Sequence, residues 1–140
     1  LISSDVLRGY NDTIILSVLK DADSYGYEIS KEISRRSGGV YAIKETTLYS
    51  AFNRLEKNGF VRTYYGDETF GKRRTYLSIT DTGSAYYREK CAEWEITKEL
   101  VDHFARGPQE GMKGKEAVTV PEENTASEKD TKDAIGGNDE

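Results

Sequence analysis

The chain has 140 residues with 32% charged and 36% hydrophobic side chains, and its mean hydropathy is −0.73. That size suits one small domain, the polarity places part of the chain outside any core, and no run approaches the roughly 20 apolar residues of a membrane span. A single cysteine, Cys91, excludes a fold stapled by internal disulfides.

The charge is unevenly placed. Residues 1–106 carry 16 Lys and Arg against 16 Asp and Glu, so the net −5 belongs entirely to residues 107–140. That tail has no aromatic residue and few aliphatic ones, and reads as an acidic disordered extension. From Lys31 to Arg74 ten basic residues face five acidic ones, a basic middle that the overall pI of about 5.1 conceals. The chain opens on Leu1 rather than Met, so the lack of a signal peptide carries little weight.

In chain order, Leu7, Tyr10, Ile14 and Val18, joined by Ile15 and Leu19, recur at helical steps and predict a first helix. Asp5 or Ser4 caps its start, and Asp21–Ser24 ends it. A second helix is expected from Ser24, with Tyr25, Ile29 and Ile33 as its inner stripe and Gly38-Gly39 as its stop. Tyr41-Ala42-Ile43 reads as a short extended piece.

A third helix begins at Thr46 or Glu45 and ends at Asn58-Gly59. Leu48, Ala51, Phe52 and Leu55 form its apolar face. The opposite face carries Thr46, Thr47, Tyr49, Ser50, Asn53, Arg54 and Lys57. Two strand-like runs follow, Phe60–Tyr65 and Arg74–Ile79, joined by a turn over Gly66–Gly71 with Lys72-Arg73-Arg74 at its mouth. Thr80-Asp81-Thr82-Gly83 then starts a last helix reaching about Arg106. Its apolar residues fall on two sides, Tyr87, Cys91, Trp94, Val101 and Phe104 or Ala105 against Ala92, Ile96 and Leu100, so it wants two partners.

Three short helices and a basic-tipped hairpin make a mainly α (α+β) fold. It is a winged helix-turn-helix over 1–80, with a two-stranded wing, a C-terminal dimerisation helix over 81–106 and the acidic tail over 107–140. The polar face of the third helix suits the DNA major groove, and guanidinium groups on the wing suit phosphates. The DNA-contact candidates are Lys44, Thr46, Thr47, Tyr49, Ser50, Asn53, Arg54, Lys72, Arg73 and Arg74. A winged helix that binds protein instead of DNA is the alternative, and the basic middle argues against it. No catalytic constellation is evident: Gly71-Lys72 lacks the earlier glycine of a phosphate-binding loop, and no nucleophile or orienting partner accompanies His103. Cys91 and His103 stand about 18 Å apart along one helix, too far to share a metal ion. Neither an enzyme nor a cofactor is therefore expected.

Several blocks resemble the PadR-like transcriptional regulators. They are Leu7-Arg8-Gly9 followed by Ile14-Ile15-Leu16; Tyr25-Gly26-Tyr27-Glu28-Ile29; Thr47-Leu48-Tyr49 with Arg54-Leu55-Glu56-Lys57-Asn58-Gly59-Phe60-Val61; and Gly71-Lys72-Arg73-Arg74-Thr75-Tyr76 with Ile79-Thr80-Asp81-Thr82-Gly83. They stand in the family's order over about Leu7–Phe104. Ser50 departs from a common proline and Leu77 from a common tyrosine. The resemblance implies a cytoplasmic homodimeric repressor on a pseudo-palindromic operator, dimerising through the single C-terminal helix. Some relatives leave DNA when an aromatic small molecule binds near the dimer interface. On this reading Tyr87, Cys91, Trp94, Val101 and Phe104 are interface candidates, and Trp94 is also the ligand candidate.

Overall fold

The computed structural model describes residues 2–69 and 71–107. The elements run α1 (Ser4–Leu7), α2 (Asn11–Leu19), β1 (Ser24–Tyr25), α3 (Gly26–Arg36), α4 (Glu45–Lys57), β2 (Val61–Thr69), β3 (Lys72–Ile79) and α5 (Asp81–Ala105). The three strands form one antiparallel sheet in the order β1-β3-β2. From residue 108 on, the expected acidic tail lies outside the described residues.

Three expectations need correction. The first helix is two: Tyr10 N–H reaches only to Leu7 O at 2.9 Å, so the chain turns over Arg8-Gly9-Tyr10 before α2 begins. Ser24 does not cap a helix; it pairs with Leu77, as Tyr25 does with Tyr76, because the open edge of β3 takes up their backbone. The short extended piece expected at Tyr41-Ala42-Ile43 lies between α3 and α4, outside the sheet. It is held instead by Tyr41 Oη, which donates to Oδ1 of buried Asn11 at 2.6 Å. Finally, Gly66, Asp67 and Glu68 belong to β2 rather than a turn, with an irregularity in register between Tyr65 and Glu68. Gly66 lies under the Tyr76 ring, where a Cβ would come within 2.3 Å of it.

The core is built from α2, α3, α4, β2 and β3, and Tyr86 and Tyr87 of α5 pack against it half-buried. Ile15, Leu16 and Leu19 of α2, Ile29 and Ile33 of α3, Leu48, Ala51, Phe52 and Leu55 of α4, and Val61 and Leu77 of the sheet are all buried. Fully burying one such aliphatic side chain is worth about 1.5–3 kcal/mol. All four residues expected on the inner face of α4 are in this core.

The junction between α4, the wing and α5 is a backbone clasp. Thr80 Oγ1 donates to Gly59 O at 2.7 Å and accepts from Gly83 N–H at 3.0 Å, capping α5. Thr80 N–H donates to Phe60 O at 3.0 Å, and the Phe60 ring stacks on Tyr86 with centroids 4.1 Å apart. Gly83 fits because a Cβ there would stand 2.0 Å from Phe60 O. Helix α3 is tied down by charge. Glu32 accepts from Arg35 and Arg36, and Arg36 also reaches Asp21 at 2.9 Å.

Gly83→Ala should lower stability by about 3 kcal/mol, at the upper end of overpacking costs, because the opposing atom is a backbone carbonyl. A urea midpoint equal to wild type would contradict the clasp. The hydrogen bond from Arg35, then that from Arg36, push the Glu32 carboxyl down to about 2 from the ordinary 4.5. A lowered carboxyl contributes stability above its unfolded pKa and loses it as pH falls toward the folded value. The difference in urea midpoint between wild type and Glu32→Gln should therefore be present at pH 6 and vanish between about pH 4.5 and pH 2. A difference independent of pH would refute the pairing.

Candidate nucleic-acid interface

Burying Leu48, Ala51, Phe52 and Leu55 turns the other face of α4 to solvent. Thr46, Ser50, Asn53 and Lys57 follow one another at steps of four, three and four, and all are exposed. They form a ridge of two hydroxyls, one amide and one ammonium along the middle of that face. Each of these groups has a use on a base edge: an amide pairs with adenine in bidentate fashion, hydroxyls accept or donate, and a cation meets guanine. Lys57 is absent from the DNA-contact candidates read from the sequence, although its spacing from Asn53 and Ser50 would have placed it there.

The remaining candidates on this helix lie off the ridge. Thr47 is half-buried. Tyr49 lies edge-on to Phe52 at 5.4 Å, and its hydroxyl fills the space a side chain at Gly26 would need, so it props α4 against the start of α3. Lys44 precedes the first turn and is exposed. Arg54, also a DNA-contact candidate, is exposed but paired within the chain: its Nε donates to Asp12 Oδ2 of α2 at 3.0 Å and its Nη2 to Oδ1. The reason is position, since Arg54 sits at the edge of the face beside α2.

Lys72, Arg73 and Arg74 are exposed on the wing, but they do not act as one cluster. Side chains alternate across a strand. Arg74 lies 4.5 Å over the Tyr25 ring, on the face where Tyr76 meets Tyr25 and stacks on Tyr64. Arg73 lies on the other face, 5.4 Å over Tyr65. Stacked guanidinium groups keep their charge and lose little freedom on meeting a phosphate. Tyr64 Oη donates to Asp23 at 2.6 Å, and that bond pushes the phenol pKa up. Among the described side chains no carboxylate pairs with Lys44, Lys57, Lys72, Arg73 or Arg74, whereas Arg35, Arg36 and Arg54 are paired. The basic middle thus resolves into a ridge and a wing.

The long helix departs from its expected division of labour. Tyr87 packs against the core of its own domain, with Lys20 Nζ 5.5 Å over its ring. Trp94 meets Tyr10 edge-on at 5.1 Å. Covering α2 of the same chain requires no loss of translational freedom, so the domain takes this part of the helix first. Val101 and Phe104 remain exposed, Phe104 at 80%, as do Ile96 and Leu100. A groove of about 680 Å³ runs between α5 and the α1–α2 region, lined by Val6, Tyr10, Ile14, Lys90, Trp94 and Val101 among others.

Residues 15–89 match the model of the transcriptional regulator PadR-like family. The uncharacterized protein X of Lysinibacillus sphaericus is 47% identical over 107 residues, which cover 76% of this chain and 98% of that protein. The structure of a transcriptional regulator from Clostridium thermocellum is 62% identical with a TM-score of 0.70, covering 74% of this chain and 98% of that one. A PadR family transcription regulator from hypervirulent Clostridium difficile is 35% identical with a TM-score of 0.60, covering 69% and 99%.

Proposed function

The chain belongs to the PadR-like family of transcriptional regulators, and on that premise we propose that it acts as a homodimeric repressor reading a pseudo-palindromic operator. The observation that carries this reading is the exposed ridge Thr46, Ser50, Asn53 and Lys57, free of carboxylate partners among the described side chains, beside a wing of exposed cations. The ridge enters the major groove and reads base edges. Lys44 and the backbone N–H groups at the start of α4 meet a phosphate, and Thr47 and Tyr49 border the contact. Lys72, Arg73 and Arg74 hold the sugar–phosphate backbone without reading sequence. A protein working on chromosomal DNA in this way belongs in the cytoplasm.

The second protomer covers the apolar surface left over: Ile2 before α1 and Val6 within it, with Trp94, Ile96, Leu100, Val101 and Phe104 on α5. An apolar surface of this kind is what an interface core uses. Trp94, with one edge on Tyr10 and 42% of its surface exposed, lines the groove where a flat aromatic effector would stack and loosen the repressor's hold on DNA.

Fluorescence anisotropy on DNA from upstream of the protein's own gene tests the DNA reading. Binding should persist at nanomolar protein, on the order of specific sites, against excess random competitor. Arg73→Ala with Arg74→Ala should reduce the slope of log K against log salt by about 0.9 for each phosphate no longer neutralised. A slope identical to wild type would reject the wing assignment.

Sedimentation of the full chain should give twice its 15.8 kDa mass, and Val101→Glu should halve it. Acridine titrated into the dimer should quench Trp94 saturably at tens of micromolar, on the order of a weak site, and should not do so in the Val101→Glu monomer. A monomeric wild type would reject the interface, and linear quenching would reject the ligand site.

A further inference from the structure

We propose that Asp12 is a specificity-determining residue that withholds Arg54 from DNA, an inference that rests on the DNA-reading function above. Arg54 differs from the other cations of α4 and its N-cap. Lys44 and Lys57 have no carboxylate partner among the described side chains, whereas both oxygens of Asp12 are engaged by the Arg54 fork. The pair joins two elements, α2 and α4, that are 42 residues apart in sequence. It is also asymmetric: the Asp12 side chain is only 18% exposed, against 48% for Arg54.

That asymmetry fixes which way the pair acts. A bidentate, charge-assisted pair is stronger than two neutral hydrogen bonds. Moving Arg54 to a phosphate would leave a mostly covered carboxylate without its cation, which is unfavourable. The guanidinium therefore stays on Asp12 when arbitrary DNA approaches. A phosphate contact made by Arg54 would strengthen binding to every sequence alike, because phosphates carry no base identity. Holding it back lowers nonspecific affinity and leaves discrimination to Thr46, Ser50, Asn53 and Lys57. Asp12 is thus a positioning residue: it touches no DNA and acts through Arg54.

The test uses the full chain and a duplex of random sequence, with anisotropy read from about 50 to 200 mM salt, where a phosphate contact shows in the slope. Asp12→Asn should bind this duplex several-fold more tightly at the lowest salt and steepen the slope by about 0.9. Arg54→Ala should leave the slope at the wild-type value, and Asp12→Asn combined with Arg54→Ala should return it there. An unchanged slope in Asp12→Asn, with a cooperative urea transition showing it folded, overturns the proposal. So does a slope made shallower by about 0.9 in Arg54→Ala, because Arg54 would then already sit on a phosphate. If Asp12→Asn does not fold, the Arg54→Ala slope alone decides. Wild-type protein that binds no DNA at low salt overturns the DNA reading itself, a result distinct from either of these.

Discussion

Burial of one face of α4 is the constraint on which the rest of the structure depends. Leu48, Ala51, Phe52 and Leu55 reach into a core shared with α2, α3 and the sheet. A helix turns about 100° per residue, so fixing those four side chains fixes every other side chain on the helix. Thr46, Ser50, Asn53 and Lys57 point outward for that reason. The backbone that presents them is therefore held in place by the core beneath it.

The clasp at Gly59, Phe60, Thr80 and Gly83 extends this rigidity to the wing and to α5. One threonine hydroxyl serves the end of the α4 turn and the start of α5 at once. The strands leave and return through this point, since Val61 pairs with Ile79 at the base of the wing. The wing cations are thereby held at a set offset from the ridge. The long helix departs from the same place, and its first turns are covered by the domain that bears the ridge. Its later turns carry their apolar residues Ile96, Leu100, Val101 and Phe104 into solvent.

Charge is managed locally. Arg35 and Arg36 are consumed in holding α3, and Arg54 in holding α4 to α2. Most such exposed pairs contribute little to stability. They also place a carboxylate on each of these cations, whereas Lys44, Lys57, Lys72, Arg73 and Arg74 have none among the described side chains. The local carboxylates sort the basic residues into structural and available sets, so net charge alone is a poor guide to this surface.

Much of this was legible in the sequence, and what was not has a common cause. The apolar period of α4, the capping threonine before α5 and the order of the family-like blocks are local patterns, and each predicted its element. The amino-acid sequence by itself thus determined the winged-helix class, the buried face of α4 and the regulator family. Pairings between distant segments were not legible. Nothing near Ser24 announces β3, nothing near Arg54 announces Asp12, and nothing near Tyr87 says that α2 rather than a second protomer will cover it. Gly66 read as a turn because the Tyr76 ring that excludes a side chain there comes from the other strand. Periodicity and capping depend on residues a few positions apart, so they can be read along the chain. Partner choice among charged and aromatic side chains depends on which surfaces the folded backbone brings together, and only the tertiary structure decided it.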